Sequence, residues 1–164
     1  MNGKIEEVLS HFITSGLILA QEIITTLQEK NSKIIEVIGE PGSGKAVIFQ
    51  YISEQINAEN TSFYLPSQLK SNHFWELLRL LVDISDEEFE ELILAADSFE
   101  INRKYNFFYF ITEKLNAKHL LNEKNIIIYE ARYLDQYTLD FIQYLVNYSE
   151  NVVIQFVVFS HKEL

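Results

Sequence analysis

One stretch, IIEVIGEPGSGKAVIF from Ile34 to Phe49, limits what this chain can fold into more than any other. It runs from a short apolar segment through a turn with three glycines and a proline into a region where Val47, Ile48, Tyr51, Ile52 and Ile56 recur at helical spacing. The order is therefore strand, loop, helix. Within the loop, Gly39-Glu40-Pro41-Gly42-Ser43-Gly44-Lys45 fits the spacing G-x-x-x-x-G-K. Glycines at those places let successive backbone N–H groups curl around an oxyanion. The following helix offers its positive end, and Lys45 adds a cation for the outermost phosphates. Gly39, Glu40, Pro41, Gly42, Ser43, Gly44, Lys45 and Ala46 are thus the candidate nucleotide-binding residues.

The same alternation continues along the chain. From Glu6 to Lys30, the residues Leu9, Ile13, Leu17, Ala20, Ile24 and Leu27 line one helical face. Gly16 is the point at which that helix would divide, because glycine costs about 1 kcal/mol relative to alanine inside a helix. TSFYL, Thr61 to Leu65, predicts a second strand closed by Pro66. Three helical pieces follow: FWELLRLLVDI, then DEEFEELILAAD opened by a capping box from Ser85 to Glu88, then KYNFFYFITEKLNAKHLL. NIIIYE, Asn125 to Glu130, predicts a third strand, DQYTLDFIQYLVNY a helix, and NVVIQFVVF, Asn151 to Phe159, a fourth strand. That last strand is apolar almost without alternation, the pattern of a strand covered on both faces. Strands alternating with helices predict a three-layer α/β domain, a parallel sheet with helices on both faces. The division expected is an N-terminal helical segment, residues 1–30, and a core, residues 31–164.

Composition narrows the functional classes. A net charge of -11 repels a nucleic-acid backbone, so direct nucleic-acid contact by this domain is not expected. The longest apolar runs are of strand length, far below the ~20 residues that span a bilayer. The absence of cysteine removes disulfides and thiolate metal sites, and MNGKIEEVLSHF has no signal-like apolar core, so a cytoplasmic setting is the plain reading. His11, His73, His119 and His161 are scattered without metal-ligand spacing, and no G-x-S-x-G elbow occurs. In YNFFYFI, the residues Phe107, Ile111 and Leu115 read as the buried stripe of a helix rather than a base-stacking platform. Phe74, Trp75, Leu77, Leu78 and Leu81 read the same way, with any exposed part of the stripe available for docking.

Two positions depart from what phosphate chemistry requires. After Lys45 an intact loop carries a hydroxyl that coordinates Mg²⁺, and Ala46 has a methyl there. NIIIYEARYLD resembles the Walker B pattern of four apolar residues followed by Asp-Glu, yet Tyr129 occupies the aspartate place. Glu130 keeps the place of the glutamate that orients attacking water. A neutral phenol is a poor substitute for a carboxylate beside a divalent cation. Both departures remove metal contacts and neither touches the cradle, so Mg²⁺ binding is expected to be weak or absent and no metal-ligand set is assigned.

On VIGEPGSGKAV and NIIIYEARYLDQYTLDFIQYL, the chain resembles the AAA+ and STAND class of P-loop ATPases, the ATP-binding modules of large transcriptional and signalling regulators. The resemblance covers roughly residues 30 to 160. It implies that the fourth strand lies between the loop strand and the Walker B strand. It also implies a polar sensor of the terminal phosphate at the end of the fourth strand, for which Ser160 and then His161 are the candidates; a solvated strand end is the other reading. Family members continue into a fifth strand, an arginine finger and a helical lid, so the resemblance implies a fragment or a shortened member. The loop strand is then left at an open sheet edge for protein partners or self-association. The function expected is a degenerate ATP- or ADP-binding regulatory or scaffold module, with Glu130 vestigial. The alternatives are an active ATPase recruiting Mg²⁺ through Glu40, Glu130 or Asp135, and an α/β interaction domain that binds no nucleotide.

Overall fold

The computed structural model describes residues 2–56, 58–98, 103–117, 123–149 and 152–161, with the side chains of the first helix described from residue 15 onward. Four strands form one sheet: β1 (Lys33–Ile38), β2 (Thr61–Tyr64), β3 (Lys124–Ile128) and β4 (Ile154–Ser160). All pair in parallel, in the order β1-β4-β3-β2. The helices are α1 (Asn2–Leu27), α2 (Lys45–Gln55), α3 (Phe74–Leu81), α4 (Asp86–Ala96), α5 (Lys104–Ala117) and α6 (Gln136–Tyr148). The architecture is the three-layer, P-loop NTPase-like α/β fold that the alternation predicts. No helix among the described residues is long and apolar enough to cross a membrane.

Alternate residues of the two central strands explain the layers. Ile126 and Ile128 of β3, with Ile154, Phe156 and Val158 of β4, pack into one cluster with α3, α5 and α6. Ile127, Val157 and Phe159 point the other way, into a second cluster with Ala20, Ile23, Ile24 and Leu27 of α1 and Ile48 and Ile52 of α2. Every residue of β4 is buried, which is why its sequence lacks the alternation of a half-exposed strand. Phe74 anchors the first cluster. Its ring lies 4.7 Å from Phe141, 5.4 Å from Tyr137, 5.5 Å from Phe107 and 6.1 Å from Phe108, with 1% of its surface exposed. Burying one such ring contributes about 1.5–3 kcal/mol.

The structure moves several predicted boundaries. α1 runs unbroken through Gly16, whose Cα would carry a Cβ 3.7 Å from Ile48 Cγ1, an ordinary contact. Packing against α2 outweighs the local glycine penalty. α1 stops at Leu27 rather than Lys30 because its last carbonyls are taken by other elements. Lys33 Nζ donates to Thr26 O at 2.7 Å, and Gln155 Nε2 donates to Leu27 O at 2.8 Å. The side chains of Leu9, His11 and Ile13 lie outside the described residues, as do residues 118–121 of the third helical piece, with His119, and Asn151 at the predicted start of the fourth strand. β3 ends at Ile128, and Tyr129 N donates to Tyr64 O at 3.0 Å as the chain leaves the sheet. β4 begins at Ile154 and runs on to Ser160, which pairs with Ile38 of β1. The capping box is present: Glu88 N donates to Ser85 Oγ at 3.2 Å, and Ser85 N donates to Glu88 Oε2 at 3.1 Å.

Candidate functional site

The loop between β1 and α2 is fixed at both ends. Gly39 N donates to Ser160 O at 3.2 Å, tying its start to the end of β4, and Ser43 N donates to Glu40 O at 3.0 Å, closing a turn. Gly42 and Gly44 take φ of 81° and 92°, the left-handed region that only glycine enters cheaply. α2 opens directly at Lys45; Val47 N and Ile48 N already donate to Gly44 O at 3.1 and 3.2 Å, so the N–H groups of Lys45 and Ala46 are the ones at its positive end that the helix does not pair. Glu40, Pro41, Gly42, Ser43 and Ala46 are exposed.

Lys45, by contrast, is 9% exposed, because its ammonium is folded back into the loop. Nζ donates to Gly39 O, to Glu40 O at 3.0 Å, and toward His161 Nδ1 at 3.3 Å. His161 in turn places Nδ1 3.4 Å from Gly39 O and Nε2 3.8 Å from Glu130 Oε2. Glu130 Oε2 lies 2.9 Å from Arg132 Nε. The result is a chain of alternating partners, Lys45 to His161 to Glu130 to Arg132, across the loop mouth. The space it encloses with Tyr129 and Phe159 leaves no room even for a water molecule, so a ligand atom enters there only as Lys45 moves.

Glu130 adopts φ 60° and ψ 45°, a strained setting for a residue with a side chain. The turn aims its carboxylate at Arg132 and His161. Tyr129, one residue earlier, goes to the opposite use: its ring lies 4.8 Å from Phe49 and 5.8 Å from Phe159, inside the cluster under α2. The place where a metal-binding aspartate would stand is thus taken by a half-buried ring packed against the apolar cluster. With a methyl at Ala46 and a packed phenol at Tyr129, the residues present do not fit Mg²⁺.

Ser160 is 3% exposed, so the reading of it as a solvated strand end does not hold: pairing with β1 carries β4 one residue further than Phe159. His161, next along, is the strand-end side chain that reaches Lys45. Asp135, a candidate metal recruiter on sequence grounds, is fully engaged elsewhere. It caps α6, accepting from Thr138 N at 3.1 Å and Thr138 Oγ1 at 2.7 Å. It also accepts from His73 N at 2.9 Å and lies 3.2 Å from His73 Nδ1. Burial alone would raise its carboxyl, but the Thr138 and His73 hydrogen bonds outweigh that and hold it below the usual carboxylate range. His73 is completely buried, with Nε2 2.8 Å from Ser67 O, so both ring nitrogens face acceptors. Sequence reasoning missed this pair, because its partners stand 62 residues apart and His73 sits in no motif.

A family model described as an AAA domain matches residues 28–164. The structure of Drosophila ORC bound to DNA is similar at 12% identity and a TM-score of 0.45, over 91% of this chain and 38% of that one. This chain therefore spans well under half the length of that relative. No curated protein matches the chain.

Proposed function

The chain belongs to the AAA domain family, and from that premise we propose that it is a nucleotide-binding module that holds ATP or ADP in the Gly39 to Ala46 loop without efficient hydrolysis. Its output is contact with other proteins, as a regulatory or scaffold part of a larger assembly. The observation that carries this reading is the division of labour around the loop. The glycine conformations, the open helix end and Lys45 suit an anionic phosphate, whereas Ala46 and the core-packed Tyr129 leave a divalent ion without its ordinary ligands. Without a metal bridging the outer phosphates, the charge that develops in phosphoryl transfer loses its main stabiliser.

Two further features support it. A largely apolar depression of about 180 Å³ lies on the other flank of the loop, lined by Gly16, Leu19, Ser43, Gly44, Val47 and Ile48, a place of a size to take a base. The outer edge of β1 carries no strand among the described residues, which suits pairing with a partner protein or a second copy. Direct nucleic-acid contact is not part of the proposal, given the net charge of -11.

The rival reading, a Mg²⁺-dependent ATPase, needs other acids. Asp135 is committed to His73 and Thr138, and Glu130 to Arg132, which weighs against it. Titration calorimetry with ATP, with and without Mg²⁺, separates the two. The proposal expects binding that magnesium changes little and negligible phosphate release, with turnover in the Ala46→Thr/Tyr129→Asp double variant at most. Strong magnesium dependence, or steady turnover by the native chain, defeats it. No ATP binding at all favours an interaction domain with a vestigial loop.

A further inference from the structure

Spacing of four residues puts Tyr105, Tyr109 and Glu113 in one row along α5, and Asp140, Tyr144 and Tyr148 in one row along α6. Both helices cover the face of the sheet opposite α1 and α2. The rows meet: Tyr105 and Tyr144 have ring centres 6.4 Å apart, and Tyr144 and Tyr148 4.9 Å. Along these rings runs a groove of about 470 Å³, lined by Tyr105, Asp140, Gln143, Tyr144, Asn147 and Tyr148. The core does not account for it. Phe107, Ile111 and Leu115 form the inward stripe of α5, while Tyr105, Tyr109 and Tyr148 remain 56%, 60% and 63% exposed. Deepening the protein-contact part of the reading above, we propose that this groove is a docking site for arginine side chains of a basic partner protein.

The lining selects the occupant. It contains no aliphatic side chain, which a leucine-bearing helix would need, and no lysine or arginine, which a phosphate backbone would need. The chain as a whole carries a net charge of -11, which draws in a basic protein and repels a nucleic acid. Left on offer are tyrosine ring faces, the amides of Gln143 and Asn147, and the Asp140 carboxylate, with exposed Glu113 ending the α5 row. A ring face attracts a cation, and amide and carboxylate oxygens accept its N–H groups. One such contact is already in place, because Lys104 Nζ stands 5.2 Å from the centre of the Tyr105 ring while donating to Asp140. That donor and Gln136 hold the Asp140 carboxyl below its usual range, so it stays ionised. Burial first, then Tyr109, Tyr148 and Glu113, push the Tyr144 phenol up, so its ring stays neutral. Guanidinium fits better than ammonium: it is planar, stacks on rings, is weakly hydrated and presents its donors as a fork.

The full chain, labelled with ¹³C and free of nucleotide, is titrated with a short synthetic peptide of alternating arginine and glycine while its tyrosine ring signals are followed by NMR. A peptide with lysine for arginine and a single-stranded oligothymidine are the comparisons. The proposal expects saturable shifts at Tyr105, Tyr144 and Tyr148, and binding about threefold or more tighter for arginine than for lysine. Replacing both exposed rings, Tyr105→Leu with Tyr148→Leu, should weaken the arginine peptide about tenfold, as loss of two ring–cation contacts implies. Tyr105→Phe with Tyr148→Phe keeps the ring faces and should stay within about twofold of native. Circular dichroism checks that each variant folds, and the ring shifts of the native chain decide the matter where one does not. Equal affinity for the two peptides with shifts scattered over the acidic surface means charge attraction alone and overturns the proposal. Unchanged affinity in the leucine variant overturns it too. So do ring shifts with oligothymidine and none with the arginine peptide, which mark base stacking. ATP titration of the leucine variant should match the native chain, so failure here leaves the reading of the Gly39 to Ala46 loop to its own test.

Discussion

Replacing Asp135 by alanine distinguishes a structural carboxylate from a metal-recruiting one. Three hydrogen bonds end on this side chain, from His73 N, Thr138 N and Thr138 Oγ1, and His73 Nδ1 lies 3.2 Å from it. Loss of a helix N-cap costs about 1 kcal/mol. Leaving buried donors of His73 without an acceptor costs a further ~1–3 kcal/mol, less whatever entering water recovers. His73 has no exposed surface and the Asp135 side chain is 19% exposed, so recovery is partial. The expected loss is about 3 kcal/mol, which for a domain of this size lowers Tm by about 6–12 °C. Urea denaturation followed by circular dichroism measures it. Asp135→Asn keeps a capping oxygen and is expected to lose roughly half as much. The pH dependence has a definite sign. Because the folded carboxyl is held below its usual range, its contribution is present in full above about pH 4 and fades as acid protonates the folded form. The advantage of the native chain over Asp135→Asn should therefore be level from about pH 5 upward and shrink below about pH 4. A stability loss under ~1 kcal/mol for Asp135→Ala, accompanied by loss of a magnesium effect on ATP binding, would refute this assignment.

Two other substitutions test different parts of the chain. Ser85→Ala removes one half of the capping box on a helix that buries none of its residues, so about 1 kcal/mol should be lost, with amide exchange quickened in α4 and little changed elsewhere. Gly39→Ala places a methyl 2.4 Å from Ser43 Oγ, which forces the loop to shift. ATP affinity should fall about tenfold, or 1.4 kcal/mol, while the melting temperature moves little; unchanged affinity would show that the loop is not the ligand cradle.

The fold was legible wherever the signal was local. Apolar periods of two kinds, the glycine-rich turn and the Ser85 to Glu88 box each lie within a few residues, and each marks an element that formed. The central place of β4 was legible too, through the unbroken burial its composition demands. Boundaries set by distant partners were not. α1 ends where Gln155 and Lys33 take its carbonyls, and β4 lengthens because β1 offers Ser160 a neighbour. The candidate site divides in the same way. Its loop is contiguous and could be read directly, whereas the contact of Lys45 with His161 spans 116 residues and that of His73 with Asp135 spans 62. Side chains brought together only by the crossovers of a parallel sheet leave no periodic trace.

The position of β4 also sets the order in which the chain can assemble. Lys33 pairs with Gln155 and Lys124 with Ile154, so the middle of the sheet is supplied after both of its neighbours have been synthesised. Until then β1 and the β2–β3 pair are separate halves joined by no ladder, each with a bare row of amides and carbonyls. Such long-range closure puts folding at the slow, millisecond-to-second end of the scale. Until β4 emerges, each half-sheet keeps an unpaired edge, the kind of surface that makes a partly folded chain prone to aggregation.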